Sequence, residues 1–206
     1  MNKSKFDDAA KTWETQPRLL LAEAVSAAIK KNIVFNENKV VTDFGAGTGL
    51  VSLAISPLVK SVTAIDESVG MLEVLKEKSD RMGIKNISII INDSENLNIK
   101  KLKFDVVVSS MTLHHMKSTE DAASLFYSIL NDEGIIAIAD LDKEDGNFHS
   151  DNTDIHHFGF ERESLKKIFT NAGFKNIKFD TAYYMEKTGS DGVIREFPVF
   201  LLTGDK

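Results

Sequence analysis

Cysteine is absent from the chain of 206 residues. Its absence excludes disulfide bonds, iron–sulfur clusters, cysteine zinc fingers and a cysteine nucleophile, and it fits a reducing compartment. Long hydrophobic runs are missing as well, since no apolar stretch approaches the ~18 residues that a membrane span requires. The first residues, MNKSKFDDAA, lack the apolar core of a signal peptide. We therefore expect a cytoplasmic protein without a membrane span.

An excess of basic residues is also missing. The chain carries 25 Lys and Arg against 31 Asp and Glu, a net charge of −6. Nucleic-acid binding depends on a clustered basic face, so we expect no nucleic-acid partner. Hydrophobic residues make up 42% and charged residues 27%, which is ordinary for a globular protein. The length predicts one domain, residues 1–206, acting as a monomer or homodimer.

Apolar runs rich in Ile and Val alternate with helical patterns along most of the chain. Continuous runs such as ISIII and DVVV are typical of parallel strands that are covered on both faces. Two later strands follow each other without room for a helix and should pair in an antiparallel hairpin. The alternation predicts a doubly wound, seven-stranded α/β sheet of the Rossmann-like type. The predicted strands are residues 39–43, 61–66, 86–92, 104–109, 134–140, 174–184 and 195–203.

Helices are predicted between these strands. Ser68 should cap one helix that stops at Gly83, and Ser118 should cap another. A third helix is expected over residues 161–171, and an amphipathic helix over residues 18–31 precedes the first strand. The segment 1–36 is therefore predicted to be helical.

A glycine-rich loop, Gly45-Ala46-Gly47-Thr48-Gly49, follows the first strand and opens a helix. A dinucleotide fingerprint would place its third glycine at position 50, which is leucine here. Asp43 would repel a pyrophosphate but pair with an ammonium group. S-adenosylmethionine (SAM) carries an ammonium group and no phosphate, so the charge pattern favours SAM over NAD.

The segment VTDFGAGTGL resembles motif I of the class I SAM-dependent methyltransferases. Further segments resemble later motifs of that family in the same order, over roughly residues 39–204. The resemblance implies that Asp66 binds the ribose hydroxyls, that Met71 packs near the adenine and that Asp93 accepts from the adenine amino group. Taken alone, each of these three could instead be a helix cap, a core residue or a surface residue. The cofactor-binding residues that the resemblance implies are Asp43, Gly45, Ala46, Gly47, Gly49, Asp66, Glu67, Met71, Asp93, Ser94 and Ser109.

The loop after the fourth strand reads Ser109-Ser110-Met111-Thr112 and continues to two histidines. It lacks the [ND]-P-P-[YF] motif of enzymes that methylate amides and base amino groups. It resembles the branch of the family that methylates small molecules, of the quinone and sterol type. We therefore expect a small-molecule acceptor, with the methylated atom open. The alternatives are a module that binds SAM or S-adenosylhomocysteine (SAH) without turnover, and an NAD-linked oxidoreductase.

Catalysis in this branch is mostly positioning, and a general base is needed only if the acceptor must lose a proton. His115 and His157 are the candidate catalytic residues. The long connection over residues 141–160 holds three of the five histidines and is expected to shape the acceptor pocket. A solvated loop and a divalent metal site that uses Asp140 or Asp142 remain alternatives, but we predict no metal.

The segment over residues 6–13 contains Phe6, Asp7 and Trp13 and resembles the aromatic and acidic lead segment of small-molecule methyltransferases. That resemblance implies a lid over the cofactor site, and we expect the whole of residues 1–36 to form an N-terminal helical lid segment. The alternative is a helix that packs Phe6 and Trp13 onto the sheet.

Overall fold

A single sheet of seven strands forms the centre of the computed structural model, which describes residues 3–92 and 97–206. The strands are β1 Val40–Phe44, β2 Ser61–Asp66, β3 Ile87–Ile91, β4 Phe104–Ser110, β5 Leu130–Leu141, β6 Lys175–Thr188 and β7 Ile194–Asp205. Their order is β3-β2-β1-β4-β5-β7-β6. The first five are parallel, whereas β7 runs antiparallel between β5 and β6. The predicted Rossmann-like sheet and its terminal antiparallel hairpin are confirmed.

Six α-helices surround this sheet in the described ranges: α1 Lys3–Ala9, α2 Gln16–Asn32, α3 Leu50–Ile55, α4 Val69–Met82, α5 Thr119–Ile129 and α6 Arg162–Asn171. The predicted caps are confirmed, because the Ser68 hydroxyl accepts from the Met71 N–H and the Ser118 hydroxyl accepts from the Asp121 N–H. Gly83 ends α4 in a left-handed conformation, at φ 71°. No helix in the described part of the chain is long and apolar enough to cross a membrane.

Hydrophobic cores lie on both faces of the sheet. One face packs against α5 and α6 through Phe126 and Phe169, and the other packs against α2 and α3 through Ile29 and Ile55. Neighbouring residues of β4 belong to opposite cores, since Val107 faces the first and Val106 and Val108 face the second. Burial on both faces explains why β4 is a continuous apolar run.

Three strands, β5, β6 and β7, extend two or more residues beyond a predicted end. β5 begins at Leu130 rather than at residue 134, because Leu130 pairs with Phe104 before the register shifts. Glu133, within this irregular stretch, adopts φ 62°, a left-handed conformation that favours glycine. The hairpin is also longer than predicted, since the pairing between β6 and β7 continues to Thr188 and Ile194 and leaves a short turn.

Candidate functional site

The glycine loop joins β1 to α3 at the carboxyl edge of the sheet, where open α/β sheets bind ligands. Gly45, Gly47 and Gly49 all have positive φ, between 54° and 78°. A Cβ at Gly45 would lie 2.1 Å from the Thr112 hydroxyl, so this glycine permits close packing. A Cβ at Gly49 would collide with Leu75 in the same way, whereas a Cβ at Gly47 would meet nothing within 4 Å. Gly47 is therefore the position where the loop backbone borders open space.

Two cavities meet at this loop. The larger has a volume of about 450 Å³ and the smaller of about 390 Å³. Four residues line both: Gly45, Asp66, Thr112 and His115. Among the predicted site residues, the larger cavity also collects Asp43, Ala46, Gly47 and Met71, and the smaller collects Glu67.

Two other predicted residues that the structure describes stand apart from these cavities. Gly49 and Ser109 line neither, and the Ser109 hydroxyl donates to the Phe44 carbonyl at 2.7 Å, which joins the ends of β1 and β4. Its neighbour Ser110 reaches the larger cavity instead. Asp93 and Ser94 lie outside the described residues.

Asp66 ends β2 between the two cavities. One carboxylate oxygen accepts from the Gly47 N–H at 2.7 Å, and the other accepts from the Ser68 N–H at 2.9 Å. Burial raises the pKa of Asp66 above its ordinary value, partly offset by these backbone hydrogen bonds. Each carboxylate oxygen has a second lone pair, so the group can still accept hydrogen bonds from a ligand.

Asp43 lies beneath the loop with only 1% of its surface exposed. One carboxylate oxygen accepts from the Ser52 hydroxyl of α3 at 2.6 Å. Burial raises the pKa of Asp43 to about 6, and the nearby charge of Asp66 adds to this effect. Asp43 therefore connects β1 to α3 as well as bordering the cavity.

The N-terminal segment covers the larger cavity, with Lys5, Phe6 and Trp13 among its lining residues. Asp7 of α1 accepts from the Ser68 hydroxyl at 2.6 Å and from the Gly70 N–H at 2.8 Å, at the start of α4. Glu14 accepts from the Thr48 hydroxyl at 2.7 Å and also contacts Lys78 of α4. Lys5 pairs with Asp151 in the connection over residues 141–160. These polar contacts join the segment to the glycine loop, α4 and that connection.

A buried pair, His114 and Asp140, lies at the ends of β4 and β5. The His114 Nδ1 atom is 2.7 Å from a carboxylate oxygen of Asp140, and the side chains are 1% and 0% exposed. Burial would raise the pKa of Asp140, but His114 and backbone N–H groups bring it below its ordinary value. In the neutral tautomer whose Nδ1–H donates to this carboxylate, the lone pair lies on Nε2. Nε2 is buried and has no hydrogen-bond partner among the described residues, although the ring lines the larger cavity.

Two further histidines surround His114 in this cavity. The ring centroid of His114 lies 4.1 Å from that of His115 and 5.0 Å from that of His149. Burial, reinforced by His114, lowers the pKa of His115 to about 4 and that of His149 to about 3. Both rings are therefore neutral at neutral pH.

His157, a predicted base candidate, lines neither cavity. Its Nε2 atom is 3.0 Å from the Met116 carbonyl, and its backbone N–H donates to the His114 carbonyl. His157 thus anchors the connection over residues 141–160 to the turn that follows β4.

The acidic residues considered for a metal site have protein partners. Asp140 binds His114, and Asp142 accepts two hydrogen bonds of 2.7 Å from Arg162. Within the described ranges, no three His, Cys, Asp or Glu side chains are grouped so that they could hold a metal ion.

Sequence reasoning missed the pairing of His114 with Asp140 and two of the cations that line the larger cavity, Arg18 and Lys187. A signal for the first was present, since Asp140 ends the strand next to the one that His114 follows. Neither Arg18 nor Lys187 belongs to a sequence motif that would mark it as a site residue.

Comparison with known proteins supports the interpretation of the sequence motifs as those of a methyltransferase. A family model described as "Methyltransferase domain" matches residues 13–178. An uncharacterised methyltransferase from Schizosaccharomyces pombe is 31% identical over 178 residues, 79% of this chain and 63% of that protein. A malonyl-acyl-carrier-protein O-methyltransferase from Geobacter sulfurreducens is 26% identical, over 67% of this chain and 56% of that protein. The chain thus spans less than two thirds of the length of these relatives.

Solved structures share the fold at low identity. The YcgJ protein from Bacillus subtilis has a TM-score of 0.68 and 17% identity, covering 89% of this chain and 98% of its own. A phosphoethanolamine N-methyltransferase from Haemonchus contortus in complex with SAM has a TM-score of 0.70 and 16% identity, covering 98% and 60%. With the seven-stranded sheet and the family-model match, these likenesses show that the chain belongs to the class I SAM-dependent methyltransferase family.

Proposed function

We propose that the protein binds SAM across the two cavities and catalyses transfer of its methyl group to a small molecule held in the larger one. The observation that carries this proposal is the open backbone at Gly47, with the Asp66 carboxylate lining both cavities beside it. A ligand that crosses the loop would meet backbone and carboxylate together.

The donors and acceptors around the loop fit SAM. A carboxylate with free lone pairs suits the two ribose hydroxyls, and Asp66 offers one between the cavities. The segment from Asp43 to Leu50 contains no basic residue that would favour a pyrophosphate. SAM, when bound, supplies a methyl group already activated by its sulfonium.

We assign the cofactor-binding roles as follows. Asp66 holds the ribose, Glu67 and Met71 border the adenosine, and Asp93 and Ser94 continue that contact after β3. Gly47 gives the ligand access to the loop backbone. The remaining residues keep the loop in place: Asp43, Gly45, Ala46, Gly49 and Ser109.

We propose His114 as the base for an acceptor that must lose a proton. Asp140 fixes its orientation, and the buried Nε2 atom must open to the bound acceptor before its lone pair receives the proton, while the methyl group goes to the deprotonated atom and SAH leaves. His115 is the second candidate, and burial lowers its pKa to about 4. His157 is a third, and its hydrogen bond to the Met116 carbonyl favours a positioning role.

The acceptor is a small molecule in this proposal. A cavity of about 450 Å³ is in the size range of small-molecule sites, and part of it must hold the methionine end of SAM. The segment over residues 6–13 covers this cavity, and we propose that it acts as a lid. We also propose that the chain forms a single domain. One relative is named a malonyl-acyl-carrier-protein O-methyltransferase, and one structural neighbour is named a phosphoethanolamine N-methyltransferase.

The test is release of SAH from SAM with a panel of small-molecule acceptors. We expect turnover in the wild type and a loss of about 100-fold in His114→Asn with unchanged SAH affinity. His156→Asn is the matched control, since His156 is exposed on the same connection and lines neither cavity. Failure to bind SAH would overturn the proposal. SAH binding without turnover across the panel would instead favour a SAM-binding module.

A further inference from the structure

We propose that Arg18 and Lys187 form a subsite for a carboxylate group of the methyl acceptor, at the edge of the larger cavity. The inference rests on the proposed function, because it takes this cavity as the acceptor site. It adds the chemical class of the acceptor, a small carboxylic acid, which neither the fold nor the family specifies.

Arg18 lies in the first turn of α2, half-buried at the cavity wall. Its guanidinium carbon is 3.7 Å from the centroid of the Trp13 ring, and one nitrogen donates to the Trp13 carbonyl at 2.9 Å. It makes no ion pair with any described residue. The stacking fixes the plane of the guanidinium and leaves other N–H donors available for a ligand.

Lys187 reaches the same cavity from the end of β6. Its ammonium group donates to the Phe148 carbonyl and lies 4.4 Å from the centroid of the Phe148 ring. It also forms no ion pair within the described part of the chain. Glu144 acts on it only from beyond ion-pair distance, and that carboxylate accepts from the N–H groups of Asn147 and Phe148.

Arg18 and Lys187 are partly buried positive charges, and a bound anion would stabilise them. Burial lowers the pKa of both groups, and the positive charge of Arg18 lowers that of Lys187 further. The first turn of α2 carries no acidic residue, so the helix dipole adds to the positive potential. By contrast, the cation Lys5 on the same cavity already pairs with Asp151.

The position of the pair suits an acceptor whose reactive end meets the histidines. Phe148, which contacts Lys187, has its ring 4.8 Å from that of His149, and His149 adjoins His114. Three of the acidic side chains of the cavity have other neighbours: Asp43 and Asp66 adjoin the loop, and Asp151 pairs with Lys5. Asp154 accepts from His115 only through its backbone carbonyl, and its Oδ2 atom is buried with no hydrogen-bond partner among the described residues. Because these carboxylates already bring negative charge, a singly charged carboxylate fits better than a doubly charged phosphate.

Trp13 provides a direct readout, because it is the only tryptophan in the chain and Arg18 stacks on it. The full chain, saturated with SAH, is titrated with sodium acetate at constant ionic strength while Trp13 emission is recorded. Acetamide serves as the neutral match and inorganic phosphate as the second anion. We expect a saturable change with acetate, none with acetamide, and weaker binding of phosphate.

Two variants make the test specific. Lys187→Gln should weaken acetate binding about tenfold through loss of a charged hydrogen bond. Lys178→Gln, at an exposed position on the same strand, should leave it unchanged.

An acetate response that does not saturate, or that keeps its wild-type midpoint in Lys187→Gln, would overturn the subsite, and tighter binding of phosphate would overturn its assignment to a carboxylate. Calorimetric titration of SAH on the same samples separates the two proposals. Retained SAH binding without an acetate response refutes the subsite alone, whereas loss of SAH binding refutes the proposed function.

Discussion

Replacing Gly47 with alanine tests whether the open backbone of the glycine loop is the cofactor contact. Gly47 has φ 54°, and a Cβ built on it meets no atom within 4 Å. The protein itself therefore leaves room for a methyl group at this position. That methyl would project into the open space beside the cavity that Gly47 lines. SAM in that space would be pushed away from the loop.

The structure separates the cost to folding from the cost to binding. An L-residue in the left-handed conformation costs about 1–2 kcal/mol, and no steric overlap adds to it at Gly47. We therefore expect the free energy of unfolding of Gly47→Ala to fall by about that amount. Affinity for SAH should fall at least about tenfold, or ~1.4 kcal/mol, because the backbone can no longer approach the ligand.

Gly83→Ala is the matched control. Gly83 ends α4 at φ 71°, its built Cβ also meets nothing within 4 Å, and it lines neither cavity. Urea unfolding should show a similar loss of stability in both variants, and calorimetry should show weakened SAH binding only in Gly47→Ala. Equal SAH affinity in Gly47→Ala and the wild type would refute the assignment of the loop to the cofactor.

Three further predictions address the carboxylate, the lid and the histidines. Asp66→Ala should weaken SAH by roughly 1–3 kcal/mol through loss of a charged acceptor; unchanged affinity in calorimetry would leave Asp66 as a structural group only. Deleting residues 1–15 should weaken SAH binding while circular dichroism shows the fold intact, and Trp13 emission in the full chain should respond to SAH; unfolding on deletion would favour a packed helix instead. Burial lowers the pKa of His115 to about 4 in the folded protein, so the unfolded chain binds more protons than the folded one between pH 4 and 6.5. The free energy of unfolding should therefore fall as the pH drops through that window, by at most roughly 3 kcal/mol from this group. Urea unfolding of His115→Gln should show a flatter pH dependence, and an unchanged slope would contradict the buried, neutral imidazole.

Much of the fold could be predicted because its signals are local. The run at Val106, Val107 and Val108 indicated burial on both faces, and the structure places these residues in opposite cores. Ser68 and Ser118 marked helix starts because a serine hydroxyl at that position satisfies a free N–H group. Strand ends were less predictable, since the start of β5 depends on the pairing of Leu130 with Phe104.

The candidate site likewise contains some residues that local sequence motifs could identify and others that only the fold brings together. The glycine loop and Asp66 lie in two short sequence motifs, so the sequence alone could mark them as candidates, and the structure places both at the larger cavity. The pairing of His114 with Asp140 depends on how β4 and β5 align, and the two residues are 26 positions apart. Arg18 and Lys187 line the same cavity because α2 packs on β6, an arrangement that no sequence pattern predicted.

Calorimetric titration of the protein with SAH and, separately, with NADH tests the central claim most directly. Leu50 stands where a dinucleotide fingerprint requires glycine, Asp43 of β1 and Asp66 of β2 adjoin the loop, and residues 43–50 include no basic residue. We predict that one SAH binds per chain and that NADH produces no binding heat. Binding of NADH without binding of SAH would contradict the assignment of these cavities to a methyl donor.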